Sequence, residues 1–258
     1  MKTNYHTHNF RCKHASGNAE DYVKKAIEEG YDEIGLSDHM CHPGMDLDNK
    51  SRMYYEELPG YFREVNEAIE KYGDKISIKR GLECEYFPGI EWLYEELEKE
   101  YRVDYLILGA HFFKHNEEWL YVGWGLDEKM LEEYSDFVVQ SMETGYFTYL
   151  AHPDLFFIIY KEWNEYSIKA SRKILEAAEK MNMPLEININ GYKKSKIKTK
   201  NGDRYPYPVK EFWELSKEYN VKRIIGVDAH NPKDLEDFNK GLEFAKSLDL
   251  EVIEKLDF

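Results

Sequence analysis

The chain has 258 residues, and its composition already excludes several classes of protein. Hydrophobic residues make up 42% of it, with 21 tyrosines, 13 phenylalanines and 5 tryptophans, which is enough to fill a sizeable core and excludes a mainly disordered protein. The formal net charge of −15 disfavours nucleic acid and anionic membrane surfaces as general partners, because both are polyanions.

The cysteines and the apolar runs indicate the compartment. The three cysteines, Cys12, Cys41 and Cys84, are odd in number and contain no Cys-x-x-Cys pair, which argues against a disulfide framework or a zinc ribbon. The N-terminus has no apolar signal core, and no run approaches the length of a membrane span. The sequence therefore predicts a soluble, cytoplasmic protein and leaves its oligomeric state open.

Short β-branched runs alternate with amphipathic helical stretches along the whole chain. Strands are predicted at 5–8, 33–37, 76–82, 103–108, 147–151, 185–190 and 223–227. Helices are predicted at about 19–29, 54–71, 90–100, 127–144, 165–182, 208–219 and 235–247. Asn18 is the expected N-cap of the first helix. An aromatic stretch at 112–125 and a lysine-rich stretch at 191–204 are predicted to be loops.

Seven strand–helix repeats without a low-complexity linker predict parallel β/α units in a single domain, 1–258. That number of units in about 250 residues is the size of a barrel. An open, doubly wound α/β sheet is the alternative, and it would place its ligand at one switch point that few strand ends reach. Polar residues end almost every predicted strand here, which favours a barrel whose strand ends converge.

Residues that can bind metal ions stand at the ends of these strands. His6 and His8 are two residues apart in a strand, so their side chains are expected on one face. An isolated pair of this kind is more often a hydrogen-bonded or surface pair than half of a metal site. Here, however, the pattern recurs along the chain. The candidate ligands are His6, His8, His14, His39, Glu83, His111, His152, Asp228 and His230.

This set predicts a site with more than one metal ion. Barrel enzymes build their sites at the carboxyl ends of the strands, where these residues lie. Nine donors are too many for one ion, because zinc usually takes four ligands. Glu83 is the expected bridge between ions, since a carboxylate has two oxygens, and Glu85 is the same-facing alternative. Cys12 is expected to be a small packing residue rather than a ligand.

The lysine-rich stretch 191–204 is a candidate for substrate binding. It contains five lysines, one arginine and one aspartate in an acidic chain, and it is either a solvated charge run or part of the site. Lys193 and Lys194 lie nearest to the sixth strand, where a cation would hold a phosphate beside the metals. His42 and His115 are further candidates for substrate contact, although surface histidines are common.

Taken in order, these motifs resemble the polymerase and histidinol phosphatase (PHP) superfamily over residues 3 to about 235. The shared pattern is His6-Thr7-His8, His14, Ser37-Asp38-His39, Gly81-Leu82-Glu83, His111, Ala151-His152-Pro153-Asp154 and Asp228-Ala229-His230. Within the superfamily the chain is most similar to stand-alone histidinol-phosphatases. That similarity lies in residues 12–17, in residues 83–89, and in Glu186-Ile187-Asn188 followed by Gly191.

The resemblance implies an α/β fold, a distorted (β/α)7 TIM-like barrel, holding three divalent or trivalent metal ions (zinc, iron or manganese). It assigns one ion to His6, His8, Glu83 and Asp228, a second to Glu83, His111 and His152, and a third to His14, His39 and His230. The sequence departs from the family pattern at Val227, at Ile189-Asn190 and at Lys193, where an arginine is usual. These departures concern the substrate rather than the metals, because lysine offers a point charge instead of a two-pronged fork.

The activity that the resemblance implies is metal-assisted hydrolysis of a phosphate monoester. The expected substrate is a small phosphorylated molecule, L-histidinol phosphate, which would yield L-histidinol in histidine biosynthesis. Glu83, Asp228, His230 and Asp154 are the predicted catalytic residues, with Asp154 and a metal-bound water as candidate general acids. The alternatives are a PHP-type phosphoesterase for phosphotyrosine or nucleotides, an amidohydrolase, which usually has a bridging lysine in the role of Glu83, and a catalytically silent metal-binding module.

Overall fold

The structure is a computed structural model that describes residues 1–43 and 51–258. Its strands are β1 (Thr3–Asn4), β2 (Glu33–Leu36), β3 (Ser77–Cys84), β4 (Tyr105–Leu108), β5 (Phe112–His115), β6 (Glu118–Tyr121), β7 (Tyr149–Leu150), β8 (Leu185–Asn188), β9 (Ile197–Thr199), β10 (Gly202–Arg204) and β11 (Arg223–Gly226). Its α-helices are α1 (Ala19–Glu28), α2 (Leu58–Tyr72), α3 (Glu91–Lys99), α4 (Glu128–Glu143), α5 (Glu165–Met181), α6 (Lys210–Leu215) and α7 (Phe238–Ser247). Among the described helices, none is both long and apolar enough to cross a lipid bilayer.

The main sheet contains seven strands in the order β1-β2-β3-β4-β7-β8-β11. The pairs β1–β2, β2–β3 and β7–β8 are parallel, with Thr3 opposite Glu33 and Glu33 opposite Ser77. At least one helix separates each main-sheet strand from the next, as parallel neighbours require. The predicted α/β class with seven strand–helix units is therefore confirmed.

Two stretches that were predicted to be loops instead contain antiparallel hairpins. β5 pairs with β6 and β9 pairs with β10, outside the main sheet. The turn between β5 and β6 is Asn116-Glu117, and both residues have positive φ, as tight hairpin turns require. The second hairpin closes beside Gly202, whose φ is +109°. The loop prediction was wrong because all four strands are short and none shows the apolar alternation that marks a strand. The apolar residues of β5 and β6 are consecutive, and β9 and β10 are mainly polar.

The contacts within the described chain group it into two compact units. The first contains 1–107, 226–239 and 254–258, and the second contains 108–225 and 240–253. The single domain spanning 1–258 stays a prediction.

In the first unit, Tyr105 organises the packing beneath the site. Its hydroxyl donates a 2.6 Å hydrogen bond to the carbonyl of Tyr5, and its ring lies directly over Gly35 and Gly81. A Cβ atom at either glycine would lie 2.0 to 2.3 Å from the Tyr105 side chain, so only glycine fits at these two positions. The first unit can therefore bring β1, β2 and β3 close together around one buried ring.

In the second unit, the buried carboxylate of Asp154 fixes the chain that leads into α6. It accepts hydrogen bonds from the Val209 amide at 2.6 Å and from the Trp213 indole at 3.1 Å. Gly191 lies against the same segment, and a Cβ there would lie 1.9 Å from the carbonyl oxygen of Tyr207. The chain around 207–213 is thus held close to the end of β8.

Candidate metal centre

His6 and His8 lie just beyond β1, where the chain stays extended. Thr7 forms a parallel bridge with Ala229; the His8 amide donates to the Ala229 carbonyl at 2.7 Å and the Ala229 amide donates to the His6 carbonyl at 3.1 Å. The ring centroids of His6 and His8 are 5.0 Å apart, so the two side chains share a face as the two-residue spacing predicts. This short ladder also places Asp228 beside both histidines.

Glu83 is the carboxylate on which three histidines converge. β3 continues to Cys84, two residues further than predicted, so Glu83 lies inside the strand and bridges to His39. Its Oε2 atom lies 3.3 Å from His6 Nε2, 3.4 Å from His8 Nε2 and 2.8 Å from His39 Nδ1.

Asp228 approaches the same histidine pair from the end of β11. Its Oδ1 atom lies 3.1 Å from His8 Nε2, 3.7 Å from His6 Nε2 and 3.3 Å from His230 Nδ1. Asp228 has a positive φ of 49°, a conformation that non-glycine residues adopt rarely and that is concentrated at functional sites. Two carboxylate oxygens and two imidazole nitrogens therefore surround one small volume.

Further imidazoles extend this cluster at its more exposed end. Ligand atoms of His8, His39 and His230 lie within 4.8 Å of one another. The Nε2 atoms of His14 and His230 are 3.0 Å apart, while the Nδ1 atoms of these two rings lie near the carbonyls of Cys12 and Asp228. The backbone thus turns the Nε2 atoms of both rings towards each other, away from the protein.

Burial and neighbouring charges shift the pKa values of several residues in this cluster. Burial opposes ionisation of Asp228, but the neighbouring His6, His230 and His8 hold the pKa of its carboxyl well below the usual range. Burial, together with the charges of Arg52 and His8, lowers the pKa of His39 well below its usual value. Partial burial lowers the pKa of His14 to about 4. An ionised Asp228 and neutral His14 and His39 are the forms that ligate zinc or iron, whereas burial lowers the pKa of His8 and the neighbouring Asp228 and Asp38 more than offset this and raise it. Imidazole and carboxylate donors together fit a metal centre.

The second unit contains the other two predicted ligands. The ring centroids of His111 and His152 are 4.8 Å apart, and His152 is almost wholly buried. The His152 amide donates to Glu186 at 3.2 Å, and the Asn188 side-chain amide donates to the same carboxylate oxygen at 2.8 Å. Glu186 and Asn188 therefore support the chain that carries His152.

Asp154, which the sequence predicts as a candidate general acid, makes hydrogen bonds that support the fold. Its carboxylate is wholly buried and holds the Val209 amide and the Trp213 indole, and burial raises its pKa to about 6. Its contribution to catalysis stays a prediction, whereas its contribution to placing the chain before α6 follows from these contacts.

The predicted substrate contacts lie in different surroundings. Lys193 and Lys194 are both exposed, and Lys194 Nζ lies 6.0 Å from the ring centroid of Tyr207. The Tyr207 ring lies 6.1 Å from the His152 ring, so Lys194 is one side chain away from a predicted ligand.

The two histidines proposed as substrate contacts are not surface loop residues. His42 is buried with its ring edge-on to Phe87, at a centroid separation of 4.9 Å. His115 belongs to β5, and the prediction that it lies in a loop was wrong. Its Nδ1 atom lies 2.5 Å from Glu133 Oε2 on α4, and its Nε2 atom lies 2.8 Å from the side-chain Nδ2 of Asn116. These contacts hold the hairpin against α4.

Sequence reasoning missed the polar partners of the ligands. Arg52 Nη2 lies 3.0 Å from Glu85 Oε1, so Glu85 pairs with a cation while Glu83 contacts the histidines. The carboxylate of Asp38 contacts both Cys12 and His39. Asp38 was visible only as the middle of the Ser37-Asp38-His39 motif. Arg52 gave no signal, because an ion pair across 33 residues has no local spacing pattern.

Comparison with known proteins identifies relatives along most of the chain. The PHP domain family model matches residues 4–190. A probable histidinol-phosphatase of Deinococcus radiodurans is 24% identical over 262 residues, which cover 94% of this chain and 90% of that protein.

Solved structures share the fold. The histidinol phosphate phosphatase of Lactococcus lactis, solved with zinc, L-histidinol and phosphate, has a TM-score of 0.73 at 19% identity and covers 100% of this chain and 99% of its own. Metal-dependent tyrosine phosphatases of Bacillus subtilis and Streptococcus pneumoniae give a TM-score of 0.52 at 14% identity, with coverage of 95% and 86%. Together with the seven-stranded sheet, these likenesses confirm the distorted (β/α)7 TIM-like barrel fold.

Proposed function

Because the chain belongs to the PHP domain family, we propose that it is a metal-dependent phosphatase that converts L-histidinol phosphate to L-histidinol and phosphate. The observation that carries the metal-dependent part is the convergence of Glu83 and Asp228 on His6 and His8, with nitrogen–oxygen separations of 3.1 to 3.7 Å. The substrate rests on the likeness to histidinol-phosphatases of D. radiodurans and L. lactis. The reaction would serve histidine biosynthesis in the cytoplasm.

We assign three ions to this centre, following the family resemblance. His6, His8, Glu83 and Asp228 would hold the first, and His14, His39 and His230 the third. The second would take His111 and His152 together with Glu83. Zinc, iron and manganese all suit imidazole and carboxylate donors, and the L. lactis relative was solved with zinc. When bound, such ions lower the pKa of water towards neutrality and neutralise phosphoryl charge.

The chain's own residues would bind and orient the substrate. Lys194, which lies close to Tyr207, would place its ammonium group against the phosphate, and Lys193 is the neighbouring alternative. A lysine there neutralises charge without the two-pronged geometry of an arginine. Glu83, Asp228 and His230 would act by fixing the reacting groups, and Asp154 by supporting the segment that carries Tyr207.

The test is a substrate panel with purified protein loaded with zinc or manganese. Phosphate release should be fastest from L-histidinol phosphate, with phosphotyrosine and nucleoside monophosphates as comparisons at equal concentration. Preference for phosphotyrosine would favour the second candidate, which the fold likeness to tyrosine phosphatases supports. Bound metal without any phosphate release would instead favour a silent metal-binding module.

A further inference from the structure

The carboxylate of Asp38 is buried and is not a predicted ligand, but it contacts three residues in or beside the predicted site. These are His8, His39 and Cys12, which lies two residues before His14. Asp38 is 1% exposed and follows β2 by two residues. Its Oδ1 atom accepts the His39 amide at 2.9 Å and lies 3.4 Å from His8 Nδ1. Its Oδ2 atom accepts the Cys12 amide at 3.2 Å.

Through its contact with Cys12, Asp38 also helps to position His14. Cys12 ends the 3-10 turn Phe10–Cys12, and its carbonyl lies 2.8 Å from His14 Nδ1. Asp38 therefore fixes the amide of the same residue whose carbonyl orients the His14 ring. The hydroxyl of Tyr61, which donates to the Gly81 carbonyl, lies 3.3 Å from the Asp38 amide, so the carboxylate's own backbone is held in place.

His8 shows what this arrangement achieves. Its Nε2 atom faces Glu83 Oε2 at 3.4 Å and Asp228 Oδ1 at 3.1 Å, while its Nδ1 atom faces Asp38 on the opposite side of the ring. A carboxylate on the far nitrogen keeps the proton there and leaves the lone pair on the nitrogen that faces the metal. The ring is fully buried, so no water competes for Nδ1.

We propose that Asp38 is the positioning residue of the metal centre, which holds His8 in the Nδ1–H tautomer and fixes the backbone that presents His14 and His39. The inference rests on the proposed metal centre and adds a residue that binds no ion itself.

A rival reading of the same contacts is that His8, Cys12 and Asp38 form a separate ion site. Their ligand atoms lie within 4.8 Å of one another. The contacts favour support instead, because Cys12 Sγ donates to the Asn9 carbonyl at 3.1 Å and Asp38 Oδ2 is already occupied by the Cys12 amide. The thiol is thus turned towards the backbone.

The experiment compares zinc affinity and stoichiometry in wild type, Asp38→Asn, Cys12→Ala and Asp104→Asn. Asp104 is the matched control, because its carboxylate also accepts a backbone amide, that of Arg80, at 2.7 Å. Asp38→Asn should weaken zinc binding about 10- to 100-fold, as loss of a ligand's outer partner does, and release the ion of His14, His39 and His230 first. Cys12→Ala and Asp104→Asn should bind zinc like wild type.

Wild-type affinity and stoichiometry in a folded Asp38→Asn protein would overturn the proposal, and loss of an ion in Cys12→Ala would favour the separate site. A second measurement needs no variant. ¹⁵N NMR of the metal-free wild type, at a pH high enough for the His8 ring to be neutral, should show its one remaining proton at Nδ1, and the opposite tautomer would contradict the proposal. If the wild type binds no zinc at all, the proposed function fails, while this tautomer still decides the contribution of Asp38.

Discussion

At the scale of single residues, Glu83 and Glu85 show how position decides chemistry. Both are buried acidic residues at the end of β3, two positions apart. Glu83 faces the nitrogens of His6, His8 and His39, whereas Glu85 pairs with the guanidinium of Arg52. The free-energy cost of burying a charged carboxylate must be offset by neighbouring groups. The neighbours of Glu83 are imidazoles, and the neighbour of Glu85 is a guanidinium.

This difference predicts opposite behaviour of two matched variants. Glu83→Gln should lose two ions together, because Glu83 is the one residue that the proposed assignment shares between two of the three ions. We expect zinc affinity to fall by more than about 100-fold, since loss of an outer partner alone costs about 10- to 100-fold. Glu85→Gln should keep its zinc. Elemental analysis of both proteins measures this, and equal zinc content in the two would contradict the assignment of Glu83.

All three cysteines are buried, and burial determines their reactivity. Burial raises the pKa of Cys41 to about 12, and it also raises the pKa of Cys12 and Cys84. Because the thiolate is the reactive form, a thiol with pKa 12 is ionised to only about one part in 10⁴ at pH 8. A colourimetric thiol reagent at pH 8 should therefore detect almost no thiol in the native protein and three after unfolding in guanidinium. Rapid reaction of the native protein would contradict this account.

At the scale of elements, local signals succeeded where an element has its own cap or apolar stripe. Asn18 accepts the Asp21 amide while Asp21 accepts the Asn18 amide, so α1 begins where the sequence predicts. The hairpin β9–β10 was missed because Ile197-Lys198-Thr199 and Gly202-Asp203-Arg204 give no alternating apolar face. Pairing between two polar strands leaves no trace in composition.

The cap of α1 gives a prediction about stability. Asn18→Ala should destabilise the protein by about 1 kcal/mol, because it removes the side-chain acceptor of the Asp21 amide. For a chain of this size that lowers Tm by about 2–4 °C. Asn239→Ala is the control, since Asn239 is exposed within α7. A calorimetric scan that shows the same Tm for both variants would contradict the capping role.

The lysine-rich stretch 191–204 gives a prediction about activity. Lys194 lies over Tyr207 near His152, whereas Lys200 pairs with Glu162 at 2.7 Å in the turn of the hairpin. Lys194→Ala should lower kcat/KM for the phosphate substrate by about 10-fold, in line with roughly 1.5 kcal/mol for a hydrogen bond to a charged group. Lys200→Ala removes the same charge and should leave kcat/KM unchanged. Steady-state kinetics decides, and equal losses would indicate only a general effect of charge.

At the scale of the whole molecule, the alternation of strands and helices was enough to predict the fold class and the residues that end each strand. Those residues could be found because parallel strands place their carboxyl ends at one edge, so a chemical type that recurs there is visible in sequence. The supporting pairs Asp38–Cys12 and Arg52–Glu85 could not be found, because they join groups that are 26 and 33 residues apart, respectively, with no shared period. The candidate ligands could therefore be proposed from the sequence, and the residues that contact them could not.

The most direct test of the central claim is a crystal structure of the zinc-loaded protein with anomalous scattering data collected at the zinc edge. The account predicts an anomalous peak about 2.0–2.1 Å from the Nε2 atoms of His6 and His8, with Glu83 and Asp228 completing the coordination. A fully loaded crystal in which no zinc peak touches these two histidines would contradict it.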